Sequence, residues 1–388
     1  MRTILSFELT KLLRKKSALG AVTVALLALL GLFYMHFFWS HISNGYHGAI
    51  VKGKAAVAIN RQIAEEHSGY LSDDLISSIL NDYAKNQPDL KKKGVYSVVS
   101  HYAINTLVPE PTEMLIAINQ SDEVLQFDNI KLKSQEELGS HFPLGDLKLG
   151  NFAPWNQLFL VSNSAYILVL LLSVYLSAPL FSGDTAKQMN PLLLTTKYGR
   201  NKLTVAKLTA SLVISTSLFV AFYAIILAVF AWYFGFSGWD TSVQLNLDWI
   251  TPFENIMAFP EKLTLLSTFV NLVIFQFIGL IFITAVNAFI SSKTNSTLTT
   301  FAVSAGAIFV PSFLLQVFQG GLIHKLLTIV SVSTSNTAGL MLQLSHKGSQ
   351  GFFLDSFWLN GFSILVIRLL LVFGLVLWTY RNFKKSSH

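Results

Sequence analysis

Cysteine is absent from the 388-residue chain, which excludes a disulfide scaffold, cysteine-ligated zinc and thiol catalysis. Charge is scarce. Only 13% of residues are Asp, Glu, Lys or Arg, against about 25% in an ordinary soluble chain. There is no G-x-x-x-x-G-K-[ST] run to cradle a phosphate, no H-E-x-x-H pair and no nucleophile elbow. His36, His41 and His47 are spaced five and six apart, which puts them on different faces of a helix and gives no metal set. No catalytic residue and no cofactor are expected in this chain.

What the chain has instead is long apolar runs, with a mean hydropathy of +0.52. A span needs about 20 mostly apolar residues, and six segments qualify: 17–39, 157–181, 208–235, 264–290, 298–319 and 358–380. Together these 148 residues hold one charged side chain, Arg368. Soluble core helices keep a polar face, so the expected fold class is an all-α integral membrane protein with six transmembrane helices. Trp39, Trp155, Trp232, Trp358, Trp378 and Tyr380 stand near the expected ends, where amphipathic rings favour the interface. The first apolar run has 23 residues, longer than the roughly 7–15 of a cleavable signal. It reads as an uncleaved signal anchor.

Basic residues set the expected orientation. With a cytoplasmic N-terminus, segments 1–16, 182–207, 291–297 and 381–388 lie inside, 57 residues with 14 Lys or Arg. The outer loops 236–263 and 320–357 have 66 residues and three lysines, Lys262, Lys325 and Lys347. Both termini are therefore expected in the cytoplasm and the chain in the cell membrane. The net charge of +7 is a topology signal, and no nucleic-acid partner is expected.

Residues 40–156 have the composition of a water-soluble piece, with 10 basic and 14 acidic residues. Leu75, Ile76, Ile79, Leu80 and Tyr83 recur at helical spacing, with Ser72 placed as the cap and Asp73 and Asp74 in the first turn. Ala55, Ala56, Ile59, Ile63 and Ala64 form a second pattern. Pro109 and Pro111 precede a third helix that includes Met114, Leu115 and Ile118. A mainly helical extracytoplasmic domain between the first and second spans is expected.

On the inner side, residues 1–16 combine Ile4, Leu5, Leu9, Leu12 and Leu13 with Lys11, Arg14, Lys15 and Lys16. That is an amphipathic helix suited to the interface. In loop 182–207, Asn190 and Pro191 are a helix start and Gly199 a stop, enclosing Leu192, Leu193 and Leu194. A short helix with an apolar face on that surface reads as a docking element, or as an interfacial helix touching only lipid.

These cytoplasmic features resemble the permease subunits of ABC type-2 exporters. The positions that carry the likeness are Leu193, Leu194, Thr195, Thr196, Arg200, Leu203 and Lys207, together with Phe7-Glu8-Leu9 and its trailing basic cluster. The motif covers about 40 residues, while the topology covers the whole chain. The resemblance implies a coupling loop whose contacts with an ATPase involve Asp184, Lys187, Leu193, Leu194, Arg200, Lys202 and Lys207. It also implies two ATPase subunits as partners, holding ATP and Mg, and a second permease copy or a related permease. The third span is expected to open at Lys207.

Two intramembrane positions are candidates for a pathway or gate. Arg368 is eleventh of the 23 residues of the last expected span, roughly 15 Å from the nearer end, and costs about 2.5–3.5 kcal/mol at the bilayer centre. No Asp or Glu lies in any expected span. The open partners are backbone carbonyls, Asn271, Gln276 or Asn287, an aromatic face, or an anionic substrate. Pro311 interrupts the fifth span, and a proline there permits a kink. Pro179 is placed to re-aim the chain into the coupling loop. The expected function is the permease of an ATP-driven exporter of a hydrophobic or amphipathic substrate (peptide, lipid or drug). The alternatives are a membrane-anchored sensor or mechanical transmitter whose outer domain binds a ligand, and a membrane enzyme with its site in that domain.

Overall fold

The computed structural model describes residues 2–39, 41–43, 50–93, 98–121, 123–128, 130–189, 201–249, 255–345 and 352–385. Six helices are long and apolar enough to cross a membrane: Lys16–Phe38, Ala153–Ala186, Lys202–Tyr233, Leu265–Lys293, Thr297–Val317 and Phe357–Asn382, here spans 1 to 6. Spans 2 and 3 run further than their apolar cores suggest. Leu19, Leu27 and Leu30 on span 1 and Val310 and Phe313 on span 5 are exposed, a surface that lipid covers and water penalises. The chain divides into two compact units.

The first unit comprises residues 1–32, 162–225 and 272–388. It opens with the helix Arg2–Leu13, whose buried residues are Glu8 and Leu12; one buried group on this helix is thus a carboxylate. Pro179 breaks span 2 locally, and the helix restarts at that residue and continues to Ala186. The unsatisfied amides of the restart are met from span 4. Ser291 Oγ accepts from the Phe181 and Ser182 N–H groups, both at 3.1 Å, and donates to the Ala178 carbonyl at 2.7 Å. A side chain from another helix thus supplies the cap that a helix N-terminus requires. Asn287, also on span 4, donates to Ser177 Oγ at 2.8 Å and accepts from Ser304 Oγ at 2.8 Å, tying spans 2, 4 and 5 together.

Within segment 320–357, expected as an outer loop, residues 321–345 fold as a helical hairpin. It comprises helix Gly321–Val330, a 3-10 turn at Val332–Ser335 and helix Thr337–Ser345. The turn is tight: a Cβ on Gly339 would lie 2.0 Å from the Ser333 carbonyl oxygen, so no larger residue fits there.

The second unit comprises residues 33–161 and 226–271. Helix Asp73–Lys93 starts as its sequence requires, with the Leu75 N–H donating to Ser72 Oγ at 3.1 Å. Ile76, Ile79, Leu80 and Tyr83 are buried. Helix Lys54–Glu66 buries Ala56, Val57, Ile63 and Ala64, while Ala55, expected on that face, is exposed. Pro111 is the first residue of helix Pro111–Gln120, where its missing N–H costs nothing. Helices Val98–Leu107 and Gln135–Leu138 complete the set, with the antiparallel pairs Ile42–Ser43 with Val51–Lys52 and Gly69–Tyr70 with Lys148–Leu149.

Residues 236–263, expected as an outer loop, belong to this same unit. Ser242 and Lys148 exchange hydrogen bonds at 2.9 Å, Ser242 pairs with Thr264, and Val243, Leu245, Leu247 and Trp249 are buried. Rings of Phe159 and Trp249 meet at 4.9 Å, and Trp155 and Phe230 at 5.7 Å. Segments that follow spans 1 and 3 face the same side by parity, so their joint packing agrees with the order of six crossings.

Candidate functional site

Two polar clusters of the first unit lie where an apolar, lipid-facing fold would not place them. The first joins the N-terminal helix to the ends of spans 2 and 3. Lys207 Nζ donates to Asp184 Oδ2 at 2.5 Å and to the Leu180 carbonyl at 2.5 Å, and lies 3.4 Å from Glu8 Oε2. Lys11 reaches the other Asp184 oxygen at 2.5 Å and Glu8 at 3.7 Å. The side chains of Lys207, Asp184 and Glu8 are 0%, 1% and 3% exposed and that of Lys11 27%, so water screens the Lys207 pairs least. Two carboxylates face two ammonium groups, which leaves the cluster neutral. Outside the spans, burial and the nearby ammonium groups of Lys187 and Lys11 hold Lys15 below the usual lysine range. Lys187 thus stands at the rim of the same cluster.

This arrangement changes two expectations. Asp184 is on the helix that extends span 2 rather than in a loop. Lys207 does not open span 3, which begins at Lys202; it is buried inside the helix. Both helices extend past their apolar cores, because the ion pair satisfies the charges they carry inward, while Arg368 is left without a carboxylate among the described residues, as expected. Leu193, Leu194, Thr195, Thr196 and Arg200, with the helix expected between Asn190 and Gly199, lie outside the described residues. Asn201, just before span 3, accepts from the Tyr380 hydroxyl at 3.0 Å.

The second cluster surrounds Arg368. Its Nε donates to the Ile329 carbonyl, Nη2 to the Ser331 carbonyl and Nη1 to Ser335 Oγ, each at 2.8 Å. Ile329 lies in the last turn of helix Gly321–Val330, where carbonyls have no intrahelical partner and the helix dipole is negative. Of the partners open to Arg368 from sequence, the structure selects backbone carbonyls, and it adds a serine hydroxyl that the sequence does not single out. Arg368 lies midway along span 6, so this contact places residues 329–335 at the depth of that midpoint. Non-helical backbone is tolerated there only when buried in protein, and Ser331, Thr334 and Ser335 are 0% exposed.

Other spans hold the same turn. Ser312 on span 5 bonds Ser331 Oγ at 2.8 Å, and Ser335 Oγ donates to the Phe275 carbonyl of span 4 at 3.2 Å. Asn163 on span 2 donates to Thr337 Oγ1 at 3.1 Å and accepts from the Thr337 N–H at 3.2 Å. Pro311 lies inside the continuous helix of span 5, one residue before Ser312. Gly279 on span 4 leaves room for Tyr166 and Ser335 beside the arginine, since a Cβ there would lie 2.3 Å from Tyr166 Oη and 3.0 Å from Ser335 Oγ. Sequence reading named Glu8 only within the Phe7-Glu8-Leu9 likeness and gave no sign of its burial against Lys207, and it missed the 321–345 hairpin. The signal for the hairpin was the run Leu322, Ile323, Leu326, Leu327, Ile329, Val330 followed by six hydroxyl or amide residues among Ser331–Thr337.

An apolar cleft of about 390 Å³ opens between spans 3, 4 and 6, lined by Leu208, Leu212, Ile281, Ala285, Val372 and Leu377 among others. It contains almost nothing that would recognise a charged molecule, and it is wide enough for an acyl chain or an apolar side chain. Among the described residues no group of three or more His, Asp or Glu is placed to hold a metal ion. Set against known proteins, the chain matches no family model, no curated protein and no solved structure.

Proposed function

We propose that this chain is the membrane-spanning permease subunit of an ATP-driven exporter of the ABC type. It would work as a pair, with a second copy or a related permease, and with separate ATPase subunits that hold ATP and Mg. In this reading the N-terminal helix and segment 182–207 face the cytoplasm, and the unit built on residues 40–156 and 236–263 stands outside the cell membrane. The substrate is hydrophobic or amphipathic (a peptide, lipid or drug) and moves outward past the apolar cleft.

The observation that supports this most is the buried cluster of Glu8, Lys11, Asp184 and Lys207. It holds the N-terminal helix and the ends of spans 2 and 3 on either side of the segment expected to dock the ATPase. A displacement of that segment is carried into the spans rather than absorbed by a slack loop. The hairpin held by Arg368 gives the opposite half of the first unit an element whose contacts can be exchanged when spans tilt.

The test is affinity purification of the tagged chain from its native host in mild detergent, with co-eluting proteins identified by mass and ATP hydrolysis assayed. A stoichiometric ABC ATPase with activity is expected, lost when Arg200→Glu and Lys202→Glu are combined while membrane insertion persists. A chain that elutes without an ATPase removes the motor and sinks the reading. The second reading, a sensor or mechanical transmitter, is favoured by one specific feature, the polar cavity of the second unit.

A further inference from the structure

The second unit contains a cavity of about 320 Å³, lined among others by Asp248, Arg61, His41, Asn156 and Gln157. That volume is at the lower end of the range of about 300–1,000 Å³ typical of small-molecule sites. The Asp248 carboxylate makes no ion pair and no hydrogen bond among the described residues. Burial alone raises its pKa to about 6, with no nearby charge contributing. Asp248 is half-buried, so its carboxylate is only partly hydrated, and the cavity it lines is where a ligand's donor fits.

The other titratable lining groups do not supply that partner. Burial holds His41 below the usual histidine range, so at neutral pH it carries no charge. Arg61 is the remaining cation, yet it reaches Glu65 at 3.9 Å and is 44% exposed, so it sits where the lining meets solvent. The lining therefore has an uncompensated negative group in its wall and a positive one toward the solvent. Amide groups also line the cavity, with the Asn156 carbonyl taken by the Trp249 indole and the Asn151 amide by Ser237.

We propose that this cavity binds a small zwitterion of amino-acid or short-peptide size, its ammonium on Asp248 and its acidic end toward Arg61. An ammonium supplies up to three donors to the one carboxylate that lacks any. A plain dication is disfavoured because Arg61 repels its far end, and a plain anion because Asp248 repels it. The site goes beyond the exporter reading and stands or falls without it, since it concerns binding by a unit in which no ATPase contact is placed.

The experiment is calorimetric titration of the full-length protein in detergent micelles with three probes: alanyl-alanine, its N-acetyl derivative and its C-terminal amide. Saturable binding of the free dipeptide is expected, weakened about tenfold or more by N-acetylation and likewise by amidation. Asp248→Asn should weaken the free dipeptide to the level of the acetylated one, and Arg61→Gln should abolish the difference between free dipeptide and amide. Equal binding of the free and acetylated dipeptides by the wild-type protein overturns the proposal. So does the absence of saturable binding up to about 10 mM. Both of these outcomes are read on the wild-type chain, so they stand even if a variant fails to fold. Loss of ATPase co-purification with dipeptide binding preserved would fell the exporter reading alone.

Discussion

Lys207 and Asp184, 23 residues apart on different helices, meet at 2.5 Å with side chains 0% and 1% exposed. Neither charge would remain buried without the other. Their pairing extends spans 2 and 3 toward the membrane surface and gives the N-terminal helix, through Glu8 and Lys11, something to grip.

Removing one member should therefore cost more than removing the set. Lys207→Met leaves Asp184 and Glu8 buried without their principal cation, a loss of about 3–5 kcal/mol. Adding Asp184→Asn and Glu8→Gln to Lys207→Met should recover more than half of it. Thermal unfolding in detergent, followed by intrinsic fluorescence, reads both. Equal melting temperatures for Lys207→Met and wild type would show that the cluster is not coupled.

Arg368 should control access to the hairpin. Its loss in Arg368→Leu frees the carbonyls of Ile329 and Ser331, each costing about 1–3 kcal/mol when left unsatisfied. The chain has no cysteine, so a single introduced thiol is the only label site. Thr334→Cys, at a fully buried position, should react slowly with a maleimide in the otherwise native chain and at least about tenfold faster with Arg368→Leu. Arg368→Lys should lie between, because one ammonium cannot copy three directed donors. Unchanged labelling across the series would contradict the contact.

Gly279 offers a test by rescue. A methyl there would lie 2.3 Å from Tyr166 Oη, so Gly279→Ala should lower stability by about 1–3 kcal/mol. Tyr166→Phe removes the clashing oxygen and should restore most of that loss in the double variant. Additive losses in a double-mutant cycle would place the conflict elsewhere.

Asp248 has a definite pH signature. Its folded pKa of about 6 exceeds the ordinary aspartate value of 3.8, so folding favours the protonated form. Its contribution is fully present below about pH 3.8 and is lost as pH rises through about 6. At about pH 7.5, Asp248→Asn should be more stable than wild type by up to about 3 kcal/mol, with a flatter melting curve between about pH 4 and 6. Dipeptide binding should run the other way and weaken below about pH 6, as the carboxylate is neutralised and His41 gains charge. A variant no more stable than wild type at the higher pH would mean that Asp248 is not desolvated.

Much of the fold was legible because membrane crossing is written in local runs. Six apolar stretches with one arginine among them could be counted without any tertiary information, since every buried apolar residue of a span lies within about 20 of its neighbours. The cap at Ser72 and the helix start at Pro111 were legible for the same reason: each rule acts over about four residues. Asp184 and Lys207 could be named from their segment, but not their burial or each other. Arg368 could be recognised as in need of partners, but which of several would serve was open.

The sequence by itself determined the number of apolar crossings, the asymmetry of basic charge between the two sets of loops, and the absence of a phosphate loop or thiol chemistry. Only the tertiary structure decided that Glu8 turns inward to Lys207, 199 residues away, that residues 321–345 fold back to cap Arg368, and that residues 236–263 join the unit of 40–156. The physical reason is the range of each interaction. Transfer from water to lipid acts on each side chain wherever the rest of the chain lies, whereas a hydrogen bond or buried ion pair exists only once two distant segments have been brought within about 3 Å. The turn at residues 331–337 shows the boundary between the two. Its serines and threonines interrupt any apolar run, and they become compatible with the membrane interior only because spans 2, 4, 5 and 6 meet their polar atoms there.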